Sequence, residues 1–282
     1  MMRRAKTTVK TVLLRRKNVV IGGGLVALIL LMGLFAPQVA PHDPLEQNLR
    51  NAYQTPSSEY PFGTDQFGRC LLSRVVHGAR ISLLEIGMGV SLAMAIGVPL
   101  GLIAGYFGGS IDRTIMWLLD IVYAFPGIIL AILIVSVLGP SLTNMLIAIA
   151  VFSIPVYGRL CRNLTLSLKQ REYVEAARAL GLSNLGIMFK HILRNALAPL
   201  LVQATLTAGG VVLSASTLSF LGLGVVPPTP EWGAMISTGR TFLTIAPHLS
   251  LFPGLAILIT VLGFNLLGDG LRDLLDPRLR NN

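Results

Sequence analysis

Charge is scarce in this sequence. Of its 282 residues only 13% are charged while 53% are hydrophobic, whereas a soluble globular domain carries about 25% charged residues. So thin a polar coat argues that lipid is the solvent for most of the chain. Cysteine is scarcer still. Cys70 and Cys161 are the only two, one in a polar segment and one near an expected helix end, which suggests neither a disulfide framework nor a zinc site. Also missing are the Gly-x-x-x-x-Gly-Lys-Ser/Thr loop that cradles ATP phosphates, the His-Glu-x-x-His zinc spacing and the Gly-x-Ser-x-Gly nucleophile elbow. The four histidines, His42, His77, His191 and His248, read as solvated or packed side chains rather than metal ligands. These absences disfavour an embedded enzyme, and they predict no metal and no cofactor held by this chain. No stretch alternates apolar and polar residues long enough for a transmembrane barrel strand.

Long apolar runs are present instead. About 20 apolar residues in a helix match the roughly 30 Å hydrocarbon core. Six runs qualify: Val19–Ala36, Ile81–Phe107, Ile115–Leu138, Asn144–Leu160, Pro199–Leu223 and Leu249–Leu267. The expected fold is an all-α membrane protein of six transmembrane helices. Residues 1–18 form a basic N-terminus, 19–36 the first span, 37–80 an extracytoplasmic segment and 81–282 a core of five spans with a polar loop at 159–198. The first run follows basic residues and ends near small ones, as a secretory signal does, but it is long enough to span.

The formal net charge of +10 would suit nucleic acid, yet Lys and Arg gather at the ends of apolar runs, so no nucleic-acid partner is expected. Lys and Arg resist translocation and so set topology. With Arg3, Arg4, Lys6, Lys10, Arg15, Arg16 and Lys17 in the cytoplasm, six passes leave eighteen basic residues inside and five outside. Both termini are predicted to be cytoplasmic.

Inside the 159–198 loop, Glu172–Leu180 holds good helix formers and Gly181 suits a helix C-cap. Ser183 and Asn184 suit the cap of a second helix, Leu185–Asn195. Val174, Ala177 and Leu180 recur at helical spacing, and the small Ala176 and Ala177 permit close approach by another surface. Physical chemistry alone leaves two readings open, a helix lying on the membrane and a docking element. Two acids fall within spans, where ionisable groups cost about 2.5–3.5 kcal/mol on insertion scales. Glu85 suits either a translocation path or proton relay or a local pair near an interface, for which Arg80, five residues away, is poorly spaced and not the obvious partner. For Asp120, near a span end, a structural role is favoured over a place in the path. Gly97, Gly101 and Gly105 form small-xxx-small steps that let helices pack closely.

Glu175-Ala176-Ala177, three residues, then Gly181 resembles the EAA loop of binding-protein-dependent ABC importer permeases. Tyr60–Arg69 with Ser73-Arg74 and Gly78–Leu83, Ser219–Gly224 with Pro227–Gly233, and Asn265–Asp273 with Asp276-Pro277 resemble the dipeptide/oligopeptide/nickel permeases, in the arrangement of the second, C-type partner. The likeness covers nearly the whole chain and favours a retained first helix. It implies that Glu172, Glu175, Ala176, Ala177 and Gly181 form a coupling helix on an ATPase. It also implies a homologous second permease, two ATPase subunits carrying ATP and Mg2+, and an extracytoplasmic binding protein that Glu231 and Trp232 are candidates to touch. Trp232 equally suits an interfacial anchor. The expected location is the bacterial inner membrane, and the expected solute a short peptide or related small molecule. The chain departs from the pattern at Arg194, where the family has proline, and at Cys70, where it has aspartate. The rival reading is an ion-driven carrier working through Glu85 or Asp120, although no internal repeat of the kind such carriers contain is evident.

Overall fold

The computed structural model describes residues 17–275. Most of the basic N-terminus and the Asp276-Pro277 tail lie outside the described residues. Helices of the apolar runs build the molecule: α1 (Lys17–Leu34), α2 (Leu71–Phe107), α3 (Gly109–Tyr123), α4 (Gly127–Leu138), α5 (Leu142–Leu168), α6 (Glu172–Ala179), α7 (Asn184–Phe220), α8 (Trp232–Gly239) and α9 (His248–Leu275). Apart from one isolated bridge, Thr64 to Cys70, no β pairing occurs among the described residues. Large apolar side chains cover the outside, Leu28, Leu133 and Leu258 among them. Their exposure suits a lipid or protein neighbour rather than water.

Glycine fixes the central packing. Gly97, Gly101 and Gly105 of α2 face Tyr157, Cys161 and Thr165 of α5 so closely that a Cβ at Gly101 would lie 2.1 Å from the Gly158 carbonyl oxygen. The two registers rise together, so α2 and α5 run parallel. Parallel neighbours need a return crossing between them, and α3 with α4 is the only chain available for it. The expected third span, Ile115–Leu138, is therefore a broken one, with α3 and α4 meeting at 84°. Pro126 explains the break, because proline disfavours helical geometry at the residue before it, here Phe125. Gly108 and Gly109, both at positive φ, make the sharp turn from α2 into α3 that a Cβ would hinder. The crossing totals six when the broken pair counts once.

Two further boundaries differ from expectation. Helix α2 begins at Leu71 rather than Ile81. Gly33, at the end of α1, packs on Ala79 and Arg80, so the first turns of α2 project beyond α1 into a cap. Helix α7 fuses the expected Leu185–Asn195 helix with the fifth span into one run of 37 residues. Arg194 keeps the backbone N–H that proline lacks, and the wide π turns at Ile187–Leu193 pass into regular helix there.

Helices α1 and α9 are antiparallel, with Gly22 against Leu267 and Gly270 against Val19. The start of α1, the α5–α7 connection and the end of α9 thus share one end of the bundle, called here the inner end. Polar residues within the spans are mostly satisfied on their own helix: Ser153, Thr165 and Thr260 hydroxyls each donate to the carbonyl four residues earlier. In lipid this removes an otherwise unmet donor.

Candidate functional site

At the inner end, Leu168 to Asn184 forms a compact elbow. Val174 and Ala177 turn α6 inward, joining a core that includes Leu102, Tyr157, Ile187 and Ile192. Gly181, at φ +77°, closes the helix: Leu182 N–H donates to the Ala177 carbonyl at 3.2 Å and Gly181 N–H to the Arg178 carbonyl at 3.0 Å, a Schellman end that favours glycine. Ser183 Oγ then accepts from Gly186 N–H and starts α7. Asn184 does not cap; its Oδ1 accepts from Tyr106 Oη at 2.8 Å. Lys169 Nζ donates to the Gly105 carbonyl, so the elbow is tied to the end of α2 twice.

The opposite face of the elbow is open. Glu172, Glu175, Ala176 and Arg178 are exposed, and so are Leu180, Leu182, Leu185 and Phe189. Leu180, at helical spacing with Val174 and Ala177 in the sequence, is the C-cap of α6 and is 80% exposed. Ala177 serves the internal contact, and Ala176 remains for an external one. Apolar side chains of this size beside charges of both signs make a surface suited to a protein partner.

Beside the elbow, Arg162 holds Asp112 bidentately at 2.5 and 2.6 Å. Arg159 holds Asp120 at 2.7 Å and stacks over Tyr123. Asp120 thus pins α3 across α5.

The cap at the outer end is cross-linked. Asp65 accepts from Arg69 Nε at 2.7 Å and lies 3.5 Å from Arg74 Nε, with both arginines buried. Arg74 also donates to the Pro44 and Pro228 carbonyls. Phe62 stacks on Phe252 and His42 on Tyr60. His248, also buried, faces the Thr64 carbonyl. Among the described residues no group of three or more metal-ligating side chains gathers.

Two sequence expectations fail in this cap. Glu231 and Trp232 are fully buried and cannot present themselves to a binding protein, nor can Trp232 anchor at a lipid interface. Glu231 caps α8, accepting from Gly233 and Ala234 N–H at 2.8 Å each. Burial pushes its carboxyl up from the ordinary range, and these two donors act against that shift. Trp232 Nε1 donates to the Val75 carbonyl at 2.9 Å, and its indole fills the space that a Cβ on Gly78 would occupy. The -Pro-Glu-Trp-Gly- run is thus a corner of the fold. Only a contact across most of the chain decides this, and local sequence carries no sign of it.

Glu85 is buried as completely as Glu231, and neither of its carboxylate oxygens has a hydrogen-bond partner. Glu231 lies near enough for the two charges to act on each other. Sequence reading left these acids unrelated; the packing of α2 against α7 and α8 brings them together.

A family model described as "Binding-protein-dependent transport system inner membrane component" matches residues 97–281, and one for the N-terminal TM domain of oligopeptide transport permease C matches residues 9–56. The dipeptide transport system permease protein of Alkalihalophilus pseudofirmus is 48% identical, over 95% of this chain and 88% of its own. The glutathione transport system permease protein of Pectobacterium atrosepticum is 44% identical, over 94% and 89%. Among solved structures, the MetNI methionine ABC transporter in inward-facing conformations aligns with a TM-score of 0.58 at 22% identity, over 73% of this chain and 98% of that one; this likeness concerns the fold. The chain belongs to the family of binding-protein-dependent transport system inner membrane components, the permeases of ABC importers.

Proposed function

We propose that this family member forms half of the translocation pathway of an ATP-driven importer for short peptides or closely related solutes. It pairs with a homologous permease, and its elbow delivers ATPase movement to the spans. The open face of α6 carries this reading. Its buried face, Val174 and Ala177, joins the core reaching into α2, α5 and α7, while Glu172, Glu175, Ala176 and Arg178 stay free. A push on that face is transmitted to three spans through packed side chains rather than absorbed by a loop. ATP and Mg2+ belong to two partner ATPase subunits, and the differential affinity of those subunits for the two permease states drives the switch.

The inner end is the cytoplasmic one, as the clustering of Lys and Arg there favours, and the membrane is the bacterial inner membrane. A membrane-impermeant maleimide then labels Ser183→Cys in inverted vesicles and leaves it unlabelled in right-side-out ones. The dipeptide and glutathione relatives support a peptide-like solute delivered by an external binding protein. That protein would meet the rim of an outer cavity of about 440 Å3 lined by Gln47, Gln66, Phe67 and Thr229 among others, in place of Glu231 and Trp232. The test is reconstitution of the complete assembly in proteoliposomes with its binding protein. Dipeptide or glutathione should stimulate ATP hydrolysis and accumulate inside. Transport without ATP, driven by an ion gradient, would contradict the proposal.

A further inference from the structure

The buried acids have no part in coupling or in solute binding as described so far. Ser153, Thr165 and Thr260 hydroxyls find a carbonyl on their own helix, whereas Ser82 Oγ, both oxygens of Glu85 and Ser216 Oγ are buried without any partner, as are Tyr157 Oη and Ser250 Oγ, which stand apart on α5 and α9. The side chains of Ser82, Glu85 and Ser216 are at least nine-tenths buried. They converge. Ser82 and Glu85 are one turn apart on α2, Gly233, two residues after Glu231, packs against the Ser216 backbone of α7, and Trp232, next to Glu231, is held on α2 at Val75 and Gly78. Glu231 is the one charged group found to act on Glu85; α7 contributes only serines at this point.

An ionised carboxylate without donors in a dry interior is strongly disfavoured and takes up a proton instead. A second carboxylate nearby adds to that tendency, because like charges in one site do not both ionise readily. The two acids are not equivalent. Glu231 accepts two backbone N–H bonds, which favour its charged form, whereas Glu85 has none.

From this asymmetry we propose that Glu85 and Glu231, with Ser82 and Ser216, form a buried proton-binding site in which Glu85 holds the proton. The site clamps α2 to the corner where α7 gives way to α8. It is distinct from the coupling face, which lies at the other end of the bundle, and does not depend on which solute is carried.

Infrared spectroscopy of the purified complex tests this. At neutral pH the wild type should show a protonated-carboxyl C=O band that shifts in heavy water. The band should vanish in Glu85→Gln, persist in Glu231→Gln, and be the same in sodium and choline chloride. Loss of the band in Glu231→Gln with retention in Glu85→Gln would overturn the assignment. So would a wild-type band that appears only when sodium is withdrawn, since a metal cation would then be the occupant. The wild-type spectrum needs no variant: absence of the protonated-carboxyl band at neutral pH would contradict the site.

Discussion

The outer cap and the inner elbow both carry family motifs, yet they spend their side chains in opposite ways. In the cap, Asp65, Arg69, Arg74, Glu231 and Trp232 are buried and each is engaged by a neighbour in the same chain. In the elbow, Glu172, Glu175, Arg178, Leu185 and Phe189 face outward. A motif residue consumed by its own fold is a structural residue, whatever its chemistry suggests in sequence. One left open beside a well-packed anchor is available to a partner. The two ends of this bundle therefore answer different questions: the cap says how the spans are held, and the elbow offers the surface on which the proposed coupling rests.

Substitutions sharpen the contrast. Trp232→Ala removes a fully buried indole and its hydrogen bond to the Val75 carbonyl; the loss is about 3–5 kcal/mol, seen as a lowered melting temperature of the detergent-solubilised complex. Asp65→Asn leaves Arg69 and Arg74 buried without their shared anion, and breaking such a pair costs about 3 kcal/mol. Little thermal change in either variant would break the view that the cap is structural. Cys70 occupies the N-cap of α2 with no side-chain hydrogen bond. Cys70→Asp should supply one and raise stability by about 1 kcal/mol, read in the same melting assay. Asp120→Asn opens a pair whose carboxylate is 61% exposed. With solvent screening its effect on melting is at most about 0.5 kcal/mol, and transport should persist. A collapse of transport in that variant would move Asp120 from a pin into the path.

The spans were legible because about 20 apolar residues cannot be placed otherwise in lipid. The elbow was legible through its glycine cap and the Ser183 start. The broken third span was hidden, since Ile115–Leu138 stays apolar on both sides of Phe125 and only Pro126 marks the kink. The true start of α2 was hidden by Arg74, His77 and Arg80, which look like loop residues but lie on the helix, Arg74 bonding into the cap. Arg194 stands where the family has a helix-breaking proline, and α7 runs through it. Burial of Glu231 and its approach to Glu85 required knowledge of which helices meet, which no local pattern supplies.

Coupling through the open face of α6 is tested most directly by Glu175→Arg in the complete assembly, with ATPase co-purification and solute-stimulated ATP hydrolysis both measured. Glu175 is exposed, so the melting temperature should stay at the wild-type value, within about 0.5 kcal/mol of stability. Co-purification and stimulated hydrolysis should fall at least about tenfold, the equivalent of about 1.4 kcal/mol in the docking equilibrium. Intact assembly and unchanged stimulated hydrolysis in Glu175→Arg would contradict the coupling assignment.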